Sequence, residues 1–169
     1  TYTGATTVEE GTLRMGVDDA IALSSEVIVS EDATLDLAGN DQKLNNLGGA
    51  GNVTLNGGRL TAVNSTTSEF SGSISGAGGV VKEDSGQLTL SGANSFTGGM
   101  AINGGTLRAT NGSALGAEGV TIDAPGKLEL AFATDSKVAN TMTGAGVLVK
   151  TESGTATLTG GSSQVGDVT

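Results

Sequence analysis

The chain has 169 residues, a net charge of −10, no histidine, no cysteine and only 2% aromatic residues. Its eight lysines and arginines are spread along the chain, which excludes the clustered basic surface that nucleic acids require. Without histidine, these residues cannot form a Ser-His-Asp catalytic triad. With so few aromatic side chains, a core must consist of Val, Ile, Leu and Ala, which suits a thin stacked solenoid better than a deep globular interior.

Short segments in which every second residue is apolar recur along the chain. This period of two is that of a half-buried strand, and it argues against disorder in a glycine-rich chain. A sustained helical period is missing, and the best helical candidate, residues 17–26, is weak. The sequence therefore predicts an all-β protein. The clearest strand segments, in chain order, are residues 27–29, 34–37, 53–55, 87–90 and 127–130.

The sequence repeats itself at two different spacings. Residues 1–39 match residues 95–132, and residues 71–92 match residues 139–160. The first copy has extra residues around 40–64 that its partner lacks. Such differences are tolerated in a stack in which each coil contacts only its neighbours, but not in a closed barrel or sandwich. We therefore predict that residues 1–169 form a single β-solenoid domain.

Glycine pairs such as Gly57-Gly58 and Gly98-Gly99 lie at the ends of the strand segments, and asparagine often stands beside such sites, as at Asn56. Both residue types tolerate a positive φ, which a chain needs when it changes direction several times per coil. These positions predict the corners of the solenoid.

The most specific motif lies in the second copy. Residues 86–99 read G-Q-L-T-L-S-G-A-N-S-F-T-G-G, and Gly-Thr-Leu follows at 105–107. This series resembles the passenger-associated repeat of bacterial autotransporters, although Met100 stands where that repeat usually has threonine. A degenerate copy covers residues 1–16.

The resemblance implies a right-handed, single-stranded parallel β-helix. It implies type V secretion through the periplasm and outer membrane to the surface of a Gram-negative cell. It also implies that a longer parent protein carries a covalently linked outer-membrane barrel, so that this chain would be one segment of the passenger. Autotransporter passengers include adhesins, proteases and toxins, so the resemblance indicates the scaffold better than the activity.

Adjacent carboxylates are the candidates for acid-base chemistry. Neighbouring residues on a strand point to opposite faces, so none of these pairs forms a facing acid and base by itself. A hard cation such as calcium would need oxygen ligands, but no calcium-binding repeat is present. We therefore predict no catalytic, cofactor-binding or metal-binding residue and no cofactor, with a carbohydrate-active β-helix enzyme as a less favoured alternative. The acidic and amide pairs considered are Glu9-Glu10, Asp18-Asp19, Glu31-Asp32, Asn40-Asp41 and Glu83-Asp84.

Two pairs of residues occupy equivalent positions in the first repeat, namely Arg14 with Arg108 and Tyr2 with Phe96. A unique binding site would not need to repeat, so a structural role is favoured for all four. We predict that the arginines lie at coil corners with their stems along the stack, and that the aromatic rings occupy matching core or corner positions.

Outward-facing Ser, Thr, Asn and Asp on successive coils predict flat polar ladders with a strand spacing of about 4.8 Å. Such a face offers many weak hydrogen bonds without a deep pocket. Together with the resemblance, this predicts a non-catalytic adhesin segment that acts in cell–cell aggregation, biofilm formation or attachment, and thereby in virulence. Its partners would be identical chains on neighbouring cells, or a ligand of the host surface or matrix. The alternative is a structural stalk or an autochaperone-like folding template that supports secretion.

Overall fold

The computed structural model describes residues 2–163, and within these residues the chain consists of strands and turns wound into eight coils. None of the described residues forms a helix long and apolar enough to cross a membrane. Most coils contribute three short strands, and coils 1, 5 and 6 contribute two. The strands of coils 1–4 are β1 (Thr6–Val8), β2 (Gly11–Arg14), β3 (Val27–Val29), β4 (Ala33–Asp36), β5 (Gln42–Asn45), β6 (Gly48–Gly49), β7 (Asn52–Thr54), β8 (Leu60–Val63), β9 (Thr67–Phe70), β10 (Ser73–Ser75) and β11 (Val80–Glu83). The strands of coils 5–8 are β12 (Gln87–Leu90), β13 (Met100–Ile102), β14 (Thr106–Ala109), β15 (Val120–Ile122), β16 (Lys127–Ala131), β17 (Ser136–Val138), β18 (Met142–Thr143), β19 (Val147–Thr151), β20 (Ala156–Leu158) and β21 (Ser162–Ser163).

Within the described residues every strand pairing is parallel, and each strand pairs with strands of the adjacent coils. The first sheet has the order β1-β3-β6-β9-β12-β14-β16-β19, the second sheet β2-β4-β7-β10, and the third sheet β5-β8-β11-β13-β15-β18-β21. A separate pair, β17 and β20, forms in coils 7 and 8. This arrangement confirms the predicted all-β fold, a parallel β-solenoid.

The core consists of columns of like aliphatic side chains. Parallel pairing in register places Leu88, Leu107, Leu128 and Leu148 on top of one another, and none of them is more than 3% exposed. Because alternate residues of each strand point inward, one such column arises from each inward position. Burial of each leucine contributes about 2 kcal/mol, which lets a thin solenoid hold together with few aromatic residues.

Glycines at the corners serve two separate needs. Gly57 and Gly99 have φ values of +103° and +78°, as the turn prediction requires. Gly72 and Gly92 are needed because neighbouring coils approach closely. A Cβ on Gly72 would lie 1.7 Å from the carbonyl oxygen of Gly51, and one on Gly92 would lie 1.8 Å from that of Gly72. The sequence argument from positive φ did not anticipate this column.

The equivalence of Tyr2 and Phe96 does not extend to their surroundings. Phe96 is fully buried, whereas Tyr2 is 57% exposed, so the prediction of matching core or corner positions is wrong for Tyr2. Phe96 lies between two coils and fits against Gly116, where an added Cβ would come within 2.5 Å of the ring. Tyr2 precedes the first strand.

The two arginines differ in a similar way. Arg14 ends β2 in the second sheet, whereas Arg108 lies inside β14 in the first sheet, so neither occupies a corner as predicted. The repeat specifies a turn followed by a strand. This turn and strand can form on more than one side of a coil. The two copies consequently lie one sheet out of phase around the solenoid axis.

Candidate association surface on the second sheet

The outer face of the second sheet carries two columns of polar side chains over coils 1–4. In each strand, the residue between the two columns is apolar, points inward and packs in the core. We call the two outward columns together the polar ladder. By strand spacing, it extends roughly 14 Å from its first to its last strand. Its columns are Thr12, Thr34, Asn52 and Ser73, and Arg14, Asp36, Thr54 and Ser75.

Hydrogen bonds between neighbouring coils hold the polar ladder in place. Ser73 Oγ donates to Asn52 Oδ1 at 2.7 Å, and Thr54 Oγ1 donates to Asp36 Oδ1 at 3.2 Å. Arg14 Nε lies 3.6 Å from Asp36 Oδ2, although its own side chain is 72% exposed. These side chains are therefore ordered and still available to a partner.

Asp36 is the one acidic side chain in the polar ladder. Burial works against its ionisation, but hydrogen bonds from Ala38 N and from the Asn56 and Thr54 side chains, together with the charge of Arg14, hold its pKa below the ordinary value. The carboxylate therefore stays charged, and the polar ladder presents a fixed charge pair flanked by hydroxyl and amide groups.

The other two large sheets present different outer faces. On the first sheet the outward column includes Glu69, Arg108 and Glu129, so it is strongly charged. On the third sheet the outward column includes Val81 and Ala101, so it is partly apolar. The predicted ladder of Ser, Thr, Asn and Asp is present, and its two columns on the second sheet contain no apolar side chain.

Asp18, Asp19 and Asp41, which belong to the acidic and amide pairs considered above, connect neighbouring coils. Asp18 Oδ1 accepts the backbone N–H of Asp41 at 2.9 Å, and Asp19 Oδ1 accepts that of Lys43 at 2.9 Å. Asp41 in turn accepts the N–H of Arg59 at 2.8 Å and binds its guanidinium at 3.0 Å. These carboxylates therefore connect coil 1 to coil 2 and coil 2 to coil 3.

The remaining acidic pairs lie in exposed turns, or in the case of Glu83 at the end of a strand. Among residues 2–163, no group of three or more Asp, Glu, His or Cys side chains lies close enough to hold a metal ion. The pairs in question are Glu9-Glu10, Glu31-Asp32 and Glu83-Asp84.

An ion-pair network on the first sheet was not predicted. Arg108 contacts Glu129 at 3.2 Å and Glu152 at 3.1 Å, and Lys127 lies 3.9 Å from Glu129. Thr151 donates to the same Glu129 carboxylate at 2.9 Å. Arg108 lies about one coil before Glu129 and two coils before Glu152, so only the coil length could have shown that these three residues meet. Partly exposed pairs of this kind contribute at most about 1 kcal/mol each.

Asn94 ends the second sheet by taking the place of a strand. Its Oδ1 accepts the N–H of Ile74 at 2.8 Å, and its Nδ2 donates to the carbonyl of Ala114 at 2.6 Å. The side chain is 7% exposed and therefore bridges two coils inside the stack. The sequence assigned this asparagine to a turn and did not reveal the bridge.

Comparison with known proteins agrees with this architecture. The sequence profile of the passenger-associated-transport-repeat family matches residues 1–15, 80–109 and 148–169. The chain is also 36% identical over 142 residues to the adhesin BmaC autotransporter of Brucella suis biovar 1 (strain 1330). This chain is a passenger-associated repeat segment of the autotransporter type. No solved structure matches it.

The aligned region covers 72% of this passenger segment but only 4% of the length of the Brucella relative. The family matches at residues 1–15 and 80–109 fall on the strands that carry the Gly-Thr-Leu-Arg motif. The matches at 80–109 and 148–169 contain Lys82 and Lys150, which the second internal repeat aligns with each other.

Lys82 is the most deeply buried charged residue that the structure describes in the passenger segment, with 0% of its surface exposed. Its Nζ donates to the carbonyls of Glu83 at 2.6 Å, Asp84 at 3.1 Å and Gly104 at 3.5 Å. Burial lowers the pKa of Lys82 to about 8, although the nearby charges of Asp84 and Glu83 act in the opposite direction.

The stability of the passenger segment is expected to rise with pH because of Lys82. Between its folded pKa of about 8 and its ordinary value of 10.5, the folded state has released a proton that the unfolded state retains. The free energy of unfolding should therefore increase across this window, by at most about 1.4 kcal/mol per pH unit. Urea unfolding at pH 7.5, 9 and 10.5 measures it. A K82M variant should lack the increase, and equal pH dependence in both proteins would contradict the assignment.

Proposed function

We propose that this segment is a non-catalytic part of a surface-exposed autotransporter adhesin and that it binds through the polar ladder. The proposal is supported by the ladder itself, an ordered polar strip whose side chains stay accessible on four successive coils. The named function of the Brucella relative, an adhesin, points in the same direction. The acidic residues brace coils or lie in exposed turns, which supports a non-catalytic role.

Binding would take place by many weak hydrogen bonds along the solenoid. Side chains such as Thr34, Asn52 and Ser73 are short, and they offer donors and acceptors at the regular strand spacing. A partner with the same spacing, namely a second copy of the chain on a neighbouring cell, can engage several of them together. The net charge of −10 opposes the approach of two copies, so the uncharged side chains of the ladder are favourable contact points.

The location and the biological outcome belong to the same proposal. The passenger would pass through the periplasm and outer membrane of a Gram-negative cell, and a covalently linked barrel in the parent would hold it at the surface. Contact between displayed copies would aggregate cells and promote biofilm formation. Contact with a host surface or matrix ligand would instead produce attachment and contribute to virulence.

Placing negative charge on the polar ladder is expected to reduce cell aggregation several-fold. In N52E/S73E, two carboxylates stand on paired outward positions and would repel their counterparts on a second copy. Aggregation is measured by settling of cells that display the parent protein, and surface display is checked with an antibody on intact cells. Attachment to coated host matrix is the second readout.

The matched control is T67E/Q87E, which places the same two charges on paired outward positions of the first sheet. This control should aggregate like the unmodified protein. If N52E/S73E is displayed normally and its aggregation and attachment are both unchanged, then the polar ladder is not the binding surface.

A structural stalk or autochaperone-like folding template is the second candidate. The family name associates the repeat with transport, and each coil stacks only on its neighbours, which suits both a rigid spacer and stepwise folding. Deleting the segment from the parent distinguishes the two functions. A stalk or template role predicts loss of secretion, whereas an adhesin role predicts normal secretion and loss of adhesion.

A further inference from the structure

Lys82 and Lys150 lie in the same short motif on different sheets. Residues 82–86 read Lys-Glu-Asp-Ser-Gly, and residues 150–154 read Lys-Thr-Glu-Ser-Gly. The first motif begins near the end of β11 in the third sheet, and the second near the end of β19 in the first sheet. The motif therefore occurs at two different corners of the solenoid.

Both lysines make the same set of contacts. Lys82 Nζ donates to the carbonyls one and two residues ahead, and Lys150 Nζ does the same with Thr151 and Glu152. The second of these residues has a φ of +66° in each case, at Asp84 and at Glu152. The ammonium thus closes a turn whose backbone adopts the left-handed conformation.

Each ammonium also contacts one carbonyl of an adjacent coil, and the offset is identical. Lys82 pairs with Ile102 on the neighbouring strand and donates to Gly104 at 3.5 Å, two residues further on. Lys150 pairs with Leu130 and donates to Phe132 at 3.4 Å, again two residues further on. The neighbouring strand belongs to the following coil in the first case and to the preceding coil in the second.

Aliphatic stacking alone defines the register of such strands poorly. A slip of one residue would turn every inward side chain outward, but a slip of two residues keeps the alternation intact. After a two-residue slip the inward residues would still face the core, and the contacts around Lys82 would still be aliphatic. The inward column on this side of the third sheet consists of Leu44, Ala62, Lys82, Ile102 and Ile122.

The ammonium does not tolerate the same slip. If the neighbouring strand moves by two residues, the carbonyl that the ammonium contacts on that strand moves by about 6.6 Å. It is then beyond hydrogen-bond reach of the lysine Nζ. The Lys82 ammonium would keep the carbonyls of Glu83 and Asp84 but lose its contact with Gly104 on the adjacent coil, whereas an aliphatic side chain in its place would lose no such contact. We propose that Lys82 and Lys150 act as register locks, which select one pairing between adjacent coils.

The test uses disulfide trapping, because the chain has no cysteine of its own. Cysteines at Val81 and Ala101 report the observed register, since these positions are paired. Cysteines at Val81 and Asn103, or at Glu83 and Ala101, report slips of two residues in either direction. In the observed register the slipped pairs are about 8 Å apart, too far for a disulfide. The purified chain is oxidised during refolding, and the bonds are mapped by mass spectrometry.

With Lys82 present, only the in-register pair is expected to form. K82M should raise the slipped disulfides at least about tenfold, which corresponds to about 1.4 kcal/mol of lost discrimination. The control I102M keeps the lysine and changes a neighbouring inward residue, so it should form only the in-register pair. If K82M forms the in-register pair alone, the lysine contributes only to stability and the register lock is wrong.

Lys150 provides an independent test if K82M does not fold. Cysteines at Lys127 and Val147 report the observed register of β16 and β19, and cysteines at Lys127 and Val149 report a two-residue slip. K150M should form the slipped bond, and the unmodified lysine should prevent it. Exclusive formation of the in-register bond in K150M would overturn the proposal.

Discussion

Replacing Gly72 by alanine is expected to destabilise the chain by about 3 kcal/mol or more. The added Cβ would lie 1.7 Å from the carbonyl oxygen of Gly51 and within 2.8 Å of two backbone carbons of the same coil. These are backbone atoms, so no flexible side chain can move aside, and two coils must separate locally. Urea unfolding followed by far-ultraviolet circular dichroism measures the loss, and the midpoint should fall accordingly.

Gly16 supplies the control for the alanine substitution. No heavy atom lies within 4 Å of a Cβ added there, and its φ is outside the left-handed region. G16A should therefore change the free energy of unfolding by less than about 0.5 kcal/mol. Similar losses for G72A and G16A would show that general helical or turn propensity, and not the close approach of coils, determines the effect at Gly72.

Replacing Phe96 by alanine is expected to cost about 4 kcal/mol. The ring is fully buried and lies against Gly116, which has no side chain that could move into the space. The matched substitution is Y2A, because the sequence repeat aligns Tyr2 with Phe96. Tyr2 is 57% exposed, so its removal should cost less than about 1 kcal/mol in the same unfolding experiment.

The comparison of F96A with Y2A also tests how far a sequence repeat predicts a structural environment. A large loss for F96A and a small one for Y2A is the expected result. Equal losses in the two variants would mean that the aromatic residue of the motif has a local role in its own turn. The position of each ring within the stack would then be unimportant.

The fold class followed from local patterns. The period-two alternation, the glycine-rich corners and the unequal repeats predicted an all-β solenoid, the family resemblance implied parallel strands, and the structure confirms both. These signals are reliable because a coil needs only inward apolar residues and turns of the right chemistry, and both are encoded within a few consecutive residues. The motif at 86–99 further predicted the passenger-associated repeat, which the family comparison confirms.

Part of the candidate surface was also predictable. The sequence predicted outward ladders of Ser, Thr, Asn and Asp, and Thr34, Asn52 and Ser73 form such a column. It did not determine which side of the solenoid would carry the ladder or that the ladder ends at Asn94. That information depends on which sheet and which neighbouring coil each segment joins, and the local pattern does not specify either.

The sequence by itself determined that this chain is an aliphatic, parallel β-solenoid of the passenger-repeat type, because alternation, turns and motif are local properties. Only the tertiary structure decided the contacts between residues about one coil apart. In the structure Tyr2 is exposed and Phe96 is buried in the core. Asp18 and Asp41 connect neighbouring coils, and the ammonium of Lys82 is buried among carbonyls. The physical reason is that these roles depend on which coil lies above and below each residue, and the repeat does not specify that neighbour.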